Sequence, residues 1–284
     1  MDLPEFFEER GIDVFSAVGA EDLPVEDQNL VKNFFPGARS VIVFGKEVPV
    51  DVYRRTAKEK TRGMLAIAES LDATAKLLAE RLNEENIPAK AVPLYLPVGI
   101  SHGRVHGLVR LKHVAAAGGL GSIGMNTVLV SPRFGPRLLL SGVVTGKPVA
   151  EFPDIGAIPG DVAGGTAGAP VGNGPAMAPG GGSPTDTTGS VKCTMCGKCA
   201  KICPERAIGP DGVDTFRCRT ISAVIPPLHV PAVKWMLGRR MLLSAMAPLA
   251  PWIARTATIR CSRCITECPV FAGAEANTSG EEPW

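Results

Sequence analysis

The feature that most constrains this chain is a run of four closely spaced cysteines closed by a proline. Cys193, Cys196, Cys199 and Cys203 are spaced C-x2-C-x2-C-x3-C, and Pro204 follows directly. Bacterial iron–sulfur proteins bind a [4Fe-4S] cluster with this spacing, and the fourth cysteine ordinarily serves a second cluster. The run therefore predicts two clusters and requires further cysteines elsewhere in the chain.

The other four of the eight cysteines complete two sets of four. Cys261, Cys264 and Cys268 form C-x2-C-x3-C before Pro269, and Cys218 lies alone between the runs. We assign the thiols to two clusters, called here group A (Cys193, Cys196, Cys199 and Cys268) and group B (Cys203, Cys218, Cys261 and Cys264). Structural zinc also uses C-x2-C pairs, but the x2-x2-x3-Pro spacing is not a zinc pattern. Disulfides are less favoured, because a chain of 284 residues can bury a core without them.

Charge is distributed unevenly, although the formal net charge is only +2. Residues 1–30 carry nine acidic side chains against the single Arg10, whereas residues 86–150 have seven Lys or Arg and no Asp or Glu. This basic segment either forms a wall for an anionic ligand or packs against the acidic N-terminus. It lacks the interleaved aromatic residues of a single-strand nucleic-acid groove, so nucleic acid is not an expected partner.

The amino terminus predicts a cytoplasmic location, because residues 1–9 are acidic where a signal peptide would be basic. Residues 241–254 are apolar but too short to span a membrane, and they contain Pro248 and Pro251. Trp235 precedes this stretch and Trp252 lies near its end, which also fits an interfacial segment at a membrane surface. Burial against the cluster domain is the favoured interpretation.

Hydrophobic periodicity predicts an α+β fold for the first half. A short helix around Phe6 and Phe7 precedes two strands, at 11–19 and 40–45, and apolar residues from Met64 to Leu82 then recur at helical spacing until Pro88. Further strands are predicted at 89–97, 126–130 and 137–141, with the last two as antiparallel neighbours. Strands and helices do not alternate regularly, which favours α+β over a doubly wound sheet.

A glycine-rich turn, Gly119-Leu-Gly121-Ser-Ile-Gly124, matches the G-x-G-x-x-G dinucleotide motif. Its context is wrong for a Rossmann turn, because a helix-like stretch precedes it and a strand-like stretch follows. Glycines let a backbone approach a large flat ligand closely, but they equally serve a plain tight turn. Both interpretations stay open.

Composition divides the chain into three parts. Residues 151–190 contain eleven glycines and six prolines without hydrophobic periodicity, which is typical of a linker or insertion. A first domain at 1–150 and a cluster domain at 191–284 flank it.

Motif order resembles the epoxyqueuosine reductase family, whose architecture the reductive dehalogenases share. The resemblance is carried by residues 36–43, by residues 115–127 with 132–135, and by the paired cysteine motifs with Cys218. It implies a nitroreductase-like α+β domain that binds a corrinoid (cobalamin), followed by a ferredoxin-like domain with two [4Fe-4S] clusters. It also implies electron supply by a ferredoxin or flavodoxin. The residues that the resemblance places near the corrinoid are Gly119, Gly121, Gly124, Asn126, Thr127 and Arg133.

The proton donor departs from the family pattern. The family's aspartate matches the segment 105–107, which has no carboxylate here, and His106 falls within one residue of that position. His106 can act as an acid near neutral pH, and Tyr95 is the second candidate, since related dehalogenases use a tyrosine. His102 and His106 could hold a metal only on a helix, which Gly103 and Gly107 disfavour.

Two functions follow from these features. The first is a corrinoid-dependent reductase; because the family's C-terminal helical repeats are missing, a small substrate is expected rather than tRNA. The alternative is a ferredoxin-type electron-transfer protein without corrinoid, which delivers electrons to a partner enzyme.

Overall fold

The computed structural model describes residues 1–95, 98–101, 104–152, 192–210, 212–222, 230–237, 239, 247–249, 252, 254–255 and 258–272. The predicted linker lies outside the described residues from residue 153 onward. None of the described helices is both long enough and apolar enough to cross a membrane.

Helices and strands are mixed along the chain, as predicted. The helices are α1 (Leu3–Glu9), α2 (Val25–Phe34), α3 (Val50–Arg54), α4 (Ala57–Glu84), α5 (Leu111–Ala117), α6 (Lys198–Ile202), α7 (Arg219–Ser222), α8 (Val230–Leu237) and α9 (Arg263–Thr266). The strands are β1 (Val14–Gly19), β2 (Ser40–Glu47), β3 (Ala89–Ala91), β4 (Val98–Ser101), β5 (Arg104–Gly107), β6 (Ser122–Ile123), β7 (Leu129–Val130), β8 (Leu138–Thr145), β9 (Ile208–Gly209) and β10 (Gly212–Val213).

The main sheet is antiparallel throughout and has the strand order β1-β2-β8-β3. Strand β2 is central and is buried on both faces because its side chains alternate between two cores. Val41 and Val43 belong to the core that includes α5, whereas Ile42 and Phe44 belong to the core that α1 and α4 cover. The two-sided apolar run that predicted a buried strand therefore reflects helices on both faces of the sheet.

Helix α4 is the long helix that the periodicity predicted. Thr56 caps its amino end in a reciprocal capping box with Glu59. Its stripe of Leu71, Leu78 and Leu82 is buried against the aromatic residues of α1 and β2. The helix thus supplies one wall of the main core, and its first turns continue beyond the sheet toward the cysteine-rich half.

Two strand predictions were wrong in detail. The stretches 126–130 and 137–141 are not paired with each other: β7 pairs with β6, and β8 pairs with β2 and β3. Reciprocal backbone hydrogen bonds between Ser131 and Gly135, at 2.7 and 2.9 Å, fold the connection onto itself and turn β7 away from the sheet. In the described part of the strand predicted at 89–97, which ends at Tyr95, only β3 is formed, because Pro93 has no N–H group with which to extend the ladder.

Candidate functional site

The first cysteine run is wound into a tight turn before α6. Met195 and Gly197 have positive φ values of 55° and 72°, which curl the backbone between the first three thiols. All eight cysteines are free of disulfides; Cys196 is exposed and the other seven are half-buried. The structure thus places the unbridged thiols at or near the protein surface rather than in the hydrophobic core.

Several thiols lie within electrostatic reach of one another, while their assignment to groups A and B stays a prediction. Burial raises the pKa of Cys199, and Cys193, Cys268 and Cys196 raise it further. Burial likewise raises the pKa of Cys264 to about 11, with Cys218 and Cys261 as the next causes. The groups adjoin each other, because Cys199 also contributes to the Cys264 shift. Within the described ranges, no three His, Cys, Asp or Glu side chains are gathered to hold a single metal ion.

Helix α4 supports the segment that carries the last three cysteines. The Lys60 Nζ donates to Ser262 Oγ at 3.0 Å, and the Thr61 hydroxyl accepts from the Ile259 N–H at 2.7 Å. Lys60 is 6% exposed. Burial lowers the pKa of Lys60, while the nearby Cys261 opposes that shift. The start of α4 therefore places a buried amine next to group B.

Helix α3 adds an aromatic wall on the same side. Tyr53 is buried and contacts Phe271 edge to face, with 5.3 Å between ring centroids. Burial raises the pKa of Tyr53 to about 12, and Cys264 is among the further causes. The phenol consequently stays protonated at neutral pH and lies within electrostatic reach of a group B thiol.

The glycine-rich turn also contacts the cysteine segments. The Asn126 side chain, which is buried, donates from Nδ2 to the Cys264 carbonyl at 2.9 Å. Ser122 Oγ accepts from the Cys193 N–H at 3.5 Å. Asn126, predicted from the resemblance to lie near a corrinoid, therefore holds the backbone of a group B cysteine.

Arg137 and Gly135 anchor the turn that follows Cys268. The Arg137 guanidinium donates from Nε to the Phe271 carbonyl at 2.6 Å and from a terminal nitrogen to the Ala272 carbonyl at 3.1 Å. It also forms an ion pair with Glu47. Gly135 has a φ of 57°, and a Cβ at this position would lie 1.9 Å from the Val270 carbonyl oxygen. Only glycine permits this close approach.

The three glycines of the turn have different surroundings. A Cβ on Gly121 would lie 2.3 Å from the Val130 carbonyl oxygen, and one on Gly124 would lie 2.8 Å from the Asn126 side chain. Gly119 has a φ of 78° and no atom within 4 Å of a Cβ position. Local packing thus explains Gly121 and Gly124, whereas Gly119 borders open space.

Thr127 and Arg133 also contact protein groups. Thr127 has a φ of 58°, and its carbonyl accepts from Lys112 Nζ at 2.7 Å. The Arg133 guanidinium lies 4.9 Å from the centroid of the Phe134 ring. Their assignment to a corrinoid site stays a prediction.

Part of the basic segment packs against the acidic amino-terminal region, which was one of the two interpretations of its charge. Arg110 forms ion pairs with Asp27 at 2.5 Å and with Glu26 at 2.9 Å, and His113 Nδ1 lies 3.1 Å from Asp27. Although burial raises the pKa of Asp27, hydrogen bonds from His113 and Arg110 outweigh burial and lower it overall.

The structure shows no contact between the two proton-donor candidates. His106 is half-buried on β5, opposite Gly99 of β4, and its Nδ1 lies 2.8 Å from the Gly107 carbonyl oxygen. The Tyr95 hydroxyl is buried and lies near Glu69. Burial raises the pKa of Tyr95, and the charge of Glu69 raises it further. His102, the other half of the predicted histidine pair, lies outside the described residues.

Sequence reasoning missed Lys60, although a signal was present. Lys60 lies four residues before Met64, in register with the apolar stripe of α4, so the periodicity places it on the buried face. A lysine in such a register is unusual, because lysine is almost never buried without a partner. Its partner comes from 202 residues along the chain, which no local pattern predicts.

No family model and no curated protein matches this chain. Solved structures similar to it include epoxyqueuosine reductase from Streptococcus thermophilus, with a TM-score of 0.47, 15% identity, and 78% of this chain and 56% of that one covered. The enzyme from Bacillus subtilis has a TM-score of 0.47 and 16% identity, with 95% of this chain and 65% of that chain covered. An epoxyqueuosine reductase with a tRNA stem loop has a TM-score of 0.43 and 18% identity, with 77% of this chain and 55% of that chain covered. This chain therefore spans less than two thirds of the length of these structures and is similar to epoxyqueuosine reductases, as its motifs indicated.

Proposed function

We propose that this protein is an iron–sulfur oxidoreductase that holds one [4Fe-4S] cluster in group A and one in group B. The observation that carries the proposal is the presence of eight unbridged cysteines, among which Cys193, Cys196 and Cys268 act on the pKa of Cys199, and Cys218, Cys261 and Cys203 act on that of Cys264. Four thiolates are the ligand set of a [4Fe-4S] cluster, so the donor chemistry fits. When bound, the clusters supply one-electron transfer.

The chain's own residues keep the two groups together. Asn126 holds the Cys264 carbonyl, Arg137 holds the turn after Cys268, and Cys199 of group A neighbours Cys264 of group B. A first domain at 1–150 would thus serve as a platform for a ferredoxin-like cluster domain at 191–284. This arrangement suits electron passage from one group to the other without movement of the backbone.

The finer proposal is that a corrinoid next to Gly119 receives the electrons and reduces a small substrate in the cytoplasm. The open space at Gly119 supports it, and a corrinoid would supply a strongly nucleophilic and reducing cobalt centre. Among the other residues assigned to that site, Gly121, Gly124 and Asn126 contact protein atoms instead. The fit therefore rests on Gly119 alone.

Tyr95 is the better proton donor of the two candidates. The His106 Nδ1–H is used by the Gly107 carbonyl, so a neutral His106 offers only an acceptor at Nε2. The buried Tyr95 hydroxyl carries a proton at neutral pH, and because its pKa is raised it can give up this proton only to a strongly basic group, such as a substrate carbanion. We expect Tyr95→Phe to lower turnover at least tenfold and His106→Gln to have a smaller effect.

A ferredoxin or flavodoxin remains the proposed electron donor. Nucleic acid was not an expected partner, and this expectation is in tension with the similar structure that contains a tRNA stem loop. A substrate screen should therefore include epoxyqueuosine-containing RNA beside small molecules.

A second candidate is an electron-transfer protein without corrinoid. It is favoured by the use of Asn126 and Ser122, whose side chains bind cysteine-segment backbone in place of a cofactor. In this case the glycine-rich turn is a docking element, and a separate enzyme receives the electrons.

Anaerobic purification from cells grown with cobalamin tests both candidates. Optical spectra and quantification of iron, cobalt and flavin should give about eight irons per chain if both clusters are present. Stoichiometric cobalt supports the reductase, whereas eight irons without cobalt after reconstitution support the electron-transfer protein. A chain without iron after anaerobic reconstitution would contradict both.

A further inference from the structure

Lys60 is a buried lysine at the contact between α4 and the segment of the last three cysteines. It is 6% exposed at the start of α4, and its Nζ donates to the neutral hydroxyl of Ser262 at 3.0 Å. No carboxylate is paired with it among the described ion pairs. A buried ammonium without an anionic partner is strongly destabilising, and the positive end of a helix adds to that cost.

The negative charge that compensates Lys60 comes from the cysteine segment. Ser262, which Lys60 contacts, lies between the group B ligands Cys261 and Cys264, and Cys261 is the group whose charge favours the ammonium. Four thiolates around a 2+ core carry a net charge of about −2, which becomes about −3 when the core takes up one electron. A nearby cation in a half-buried site stabilises the second state more than the first.

On the side of group A, the buried Arg137 contacts the carbonyl of Phe271 in the turn after Cys268, but its charge is paired with Glu47. The cation whose charge acts on Cys268 is Lys198, which is exposed on α6. Solvent and salt screen exposed charges much more than buried ones. The two groups each have four thiols but differ in the pairing of the adjacent buried cation: Arg137 is paired with Glu47, whereas Lys60 has no carboxylate among the described ion pairs.

We propose that the buried ammonium of Lys60 raises the reduction potential of the group B cluster, so that an electron entering the protein resides at group B in preference to group A. This inference rests on the proposed binding of two clusters. Lys60 is a positioning residue in this role: it acts through the cluster charge and does not contact a substrate.

The test is a redox titration of the anaerobically purified holoprotein with dithionite, followed by electron paramagnetic resonance. We expect Lys60→Met to lower the reduction potential of one of the two clusters by at least about 59 mV. For a one-electron couple this shift corresponds to a tenfold change in the reduction equilibrium constant. Lys60→Arg should restore most of the shift because it returns the charge. Lys58→Met is the matched control: it removes an exposed lysine from the same helix and should leave both couples unchanged.

The outcomes separate this inference from the proposed function. A wild-type protein without a [4Fe-4S] signal contradicts the proposed function itself. Full iron content in Lys60→Met with both potentials unchanged overturns only the role of Lys60. If Lys60→Met does not load iron, Lys60→Gln keeps a hydrogen-bonding group for Ser262 and should show the same shift. Failure of both neutral variants to hold group B would assign Lys60 to assembly and overturn the tuning role.

Discussion

Groups A and B each contain four thiols but are supported by different kinds of contact. Group A borders an apolar contact between Val130 and Val270 and includes Cys196, the exposed cysteine. Group B is supported by polar side chains of the first domain, with Asn126 on one side and Lys60 on the other. The difference indicates that close packing adds to the hydrogen bonds around group A, whereas group B is supported by a buried amide and a buried cation.

The variant Gly135→Ala is the most direct test of whether close packing supports group A. A methyl group there overlaps the Val270 carbonyl, and the positive φ adds about 1–2 kcal/mol of strain. We expect the turn after Cys268 to detach and the iron content to fall by about half as group A is lost. Gly119→Ala is the matched control, because it has the same positive φ but open space around the methyl group. Equal iron content in both variants would contradict the packing argument.

Removal of the Arg137 guanidinium should have the next largest effect. Arg137→Met loses bonds to the Phe271 and Ala272 carbonyls and leaves Glu47 unpaired. Breaking hydrogen bonds to a buried charge lowers the free energy of unfolding by about 2–3 kcal/mol. Thermal unfolding of the holoprotein measures this loss, with Glu47→Gln as the control that keeps both carbonyl contacts. A loss no greater than that of the control would show that the carbonyl bonds contribute little.

Asn126→Asp tests the polar support of group B. The variant keeps an oxygen for the Val128 N–H but loses the donor to the Cys264 carbonyl. The expected loss is about 1–2 kcal/mol, together with faster release of iron from one cluster under chelation. Release at the wild-type rate would mean that Asn126 serves the glycine-rich turn alone.

Asp27 provides a comparison remote from both groups. Its pKa is lowered in the folded protein, so its stabilising contribution is present above the unfolded pKa near 4 and is lost as pH falls through the lower folded value. Asp27→Asn should therefore lower the free energy of unfolding at pH 7. It should also make that free energy depend less on pH below about pH 4. Iron content at pH 7 should not change. Loss of iron in this variant would show that the sheet and the cysteine groups are more tightly coupled than their contacts indicate.

The sequence allowed prediction of elements whose signal is local. The stripe from Met64 to Leu82 and the apolar run at Ser40 identified α4 and β2, since periodicity reports burial directly. The pairing of β7 was missed because its partner is set by the Ser131–Gly135 hydrogen bonds. A short connection alone does not determine which strands are neighbours.

Of the candidate site, only the cysteines could be predicted from the sequence. Cysteine spacing identified the thiols, but the role of Asn126 depends on a carbonyl 138 residues away, and that of Lys60 on a hydroxyl 202 residues away. Such contacts form when two distant segments dock, and no pattern within either segment records them. The resemblance assigned Asn126 to a cofactor site, whereas the structure shows it bound to a cysteine backbone.

The contacts of Arg137, Gly135 and Asn126 also bear on the order of folding. All three residues belong to the part of the chain that leaves the ribosome first, and all three contact segments that emerge later. Each group combines thiols from both cysteine runs, so neither group can be complete before Cys268 or Cys264 is synthesised. The sheet can thus act as a template on which the late segment docks before iron arrives. Under the proposed function, iron insertion would then be the last step and would stabilise a surface that the docked segments have already formed.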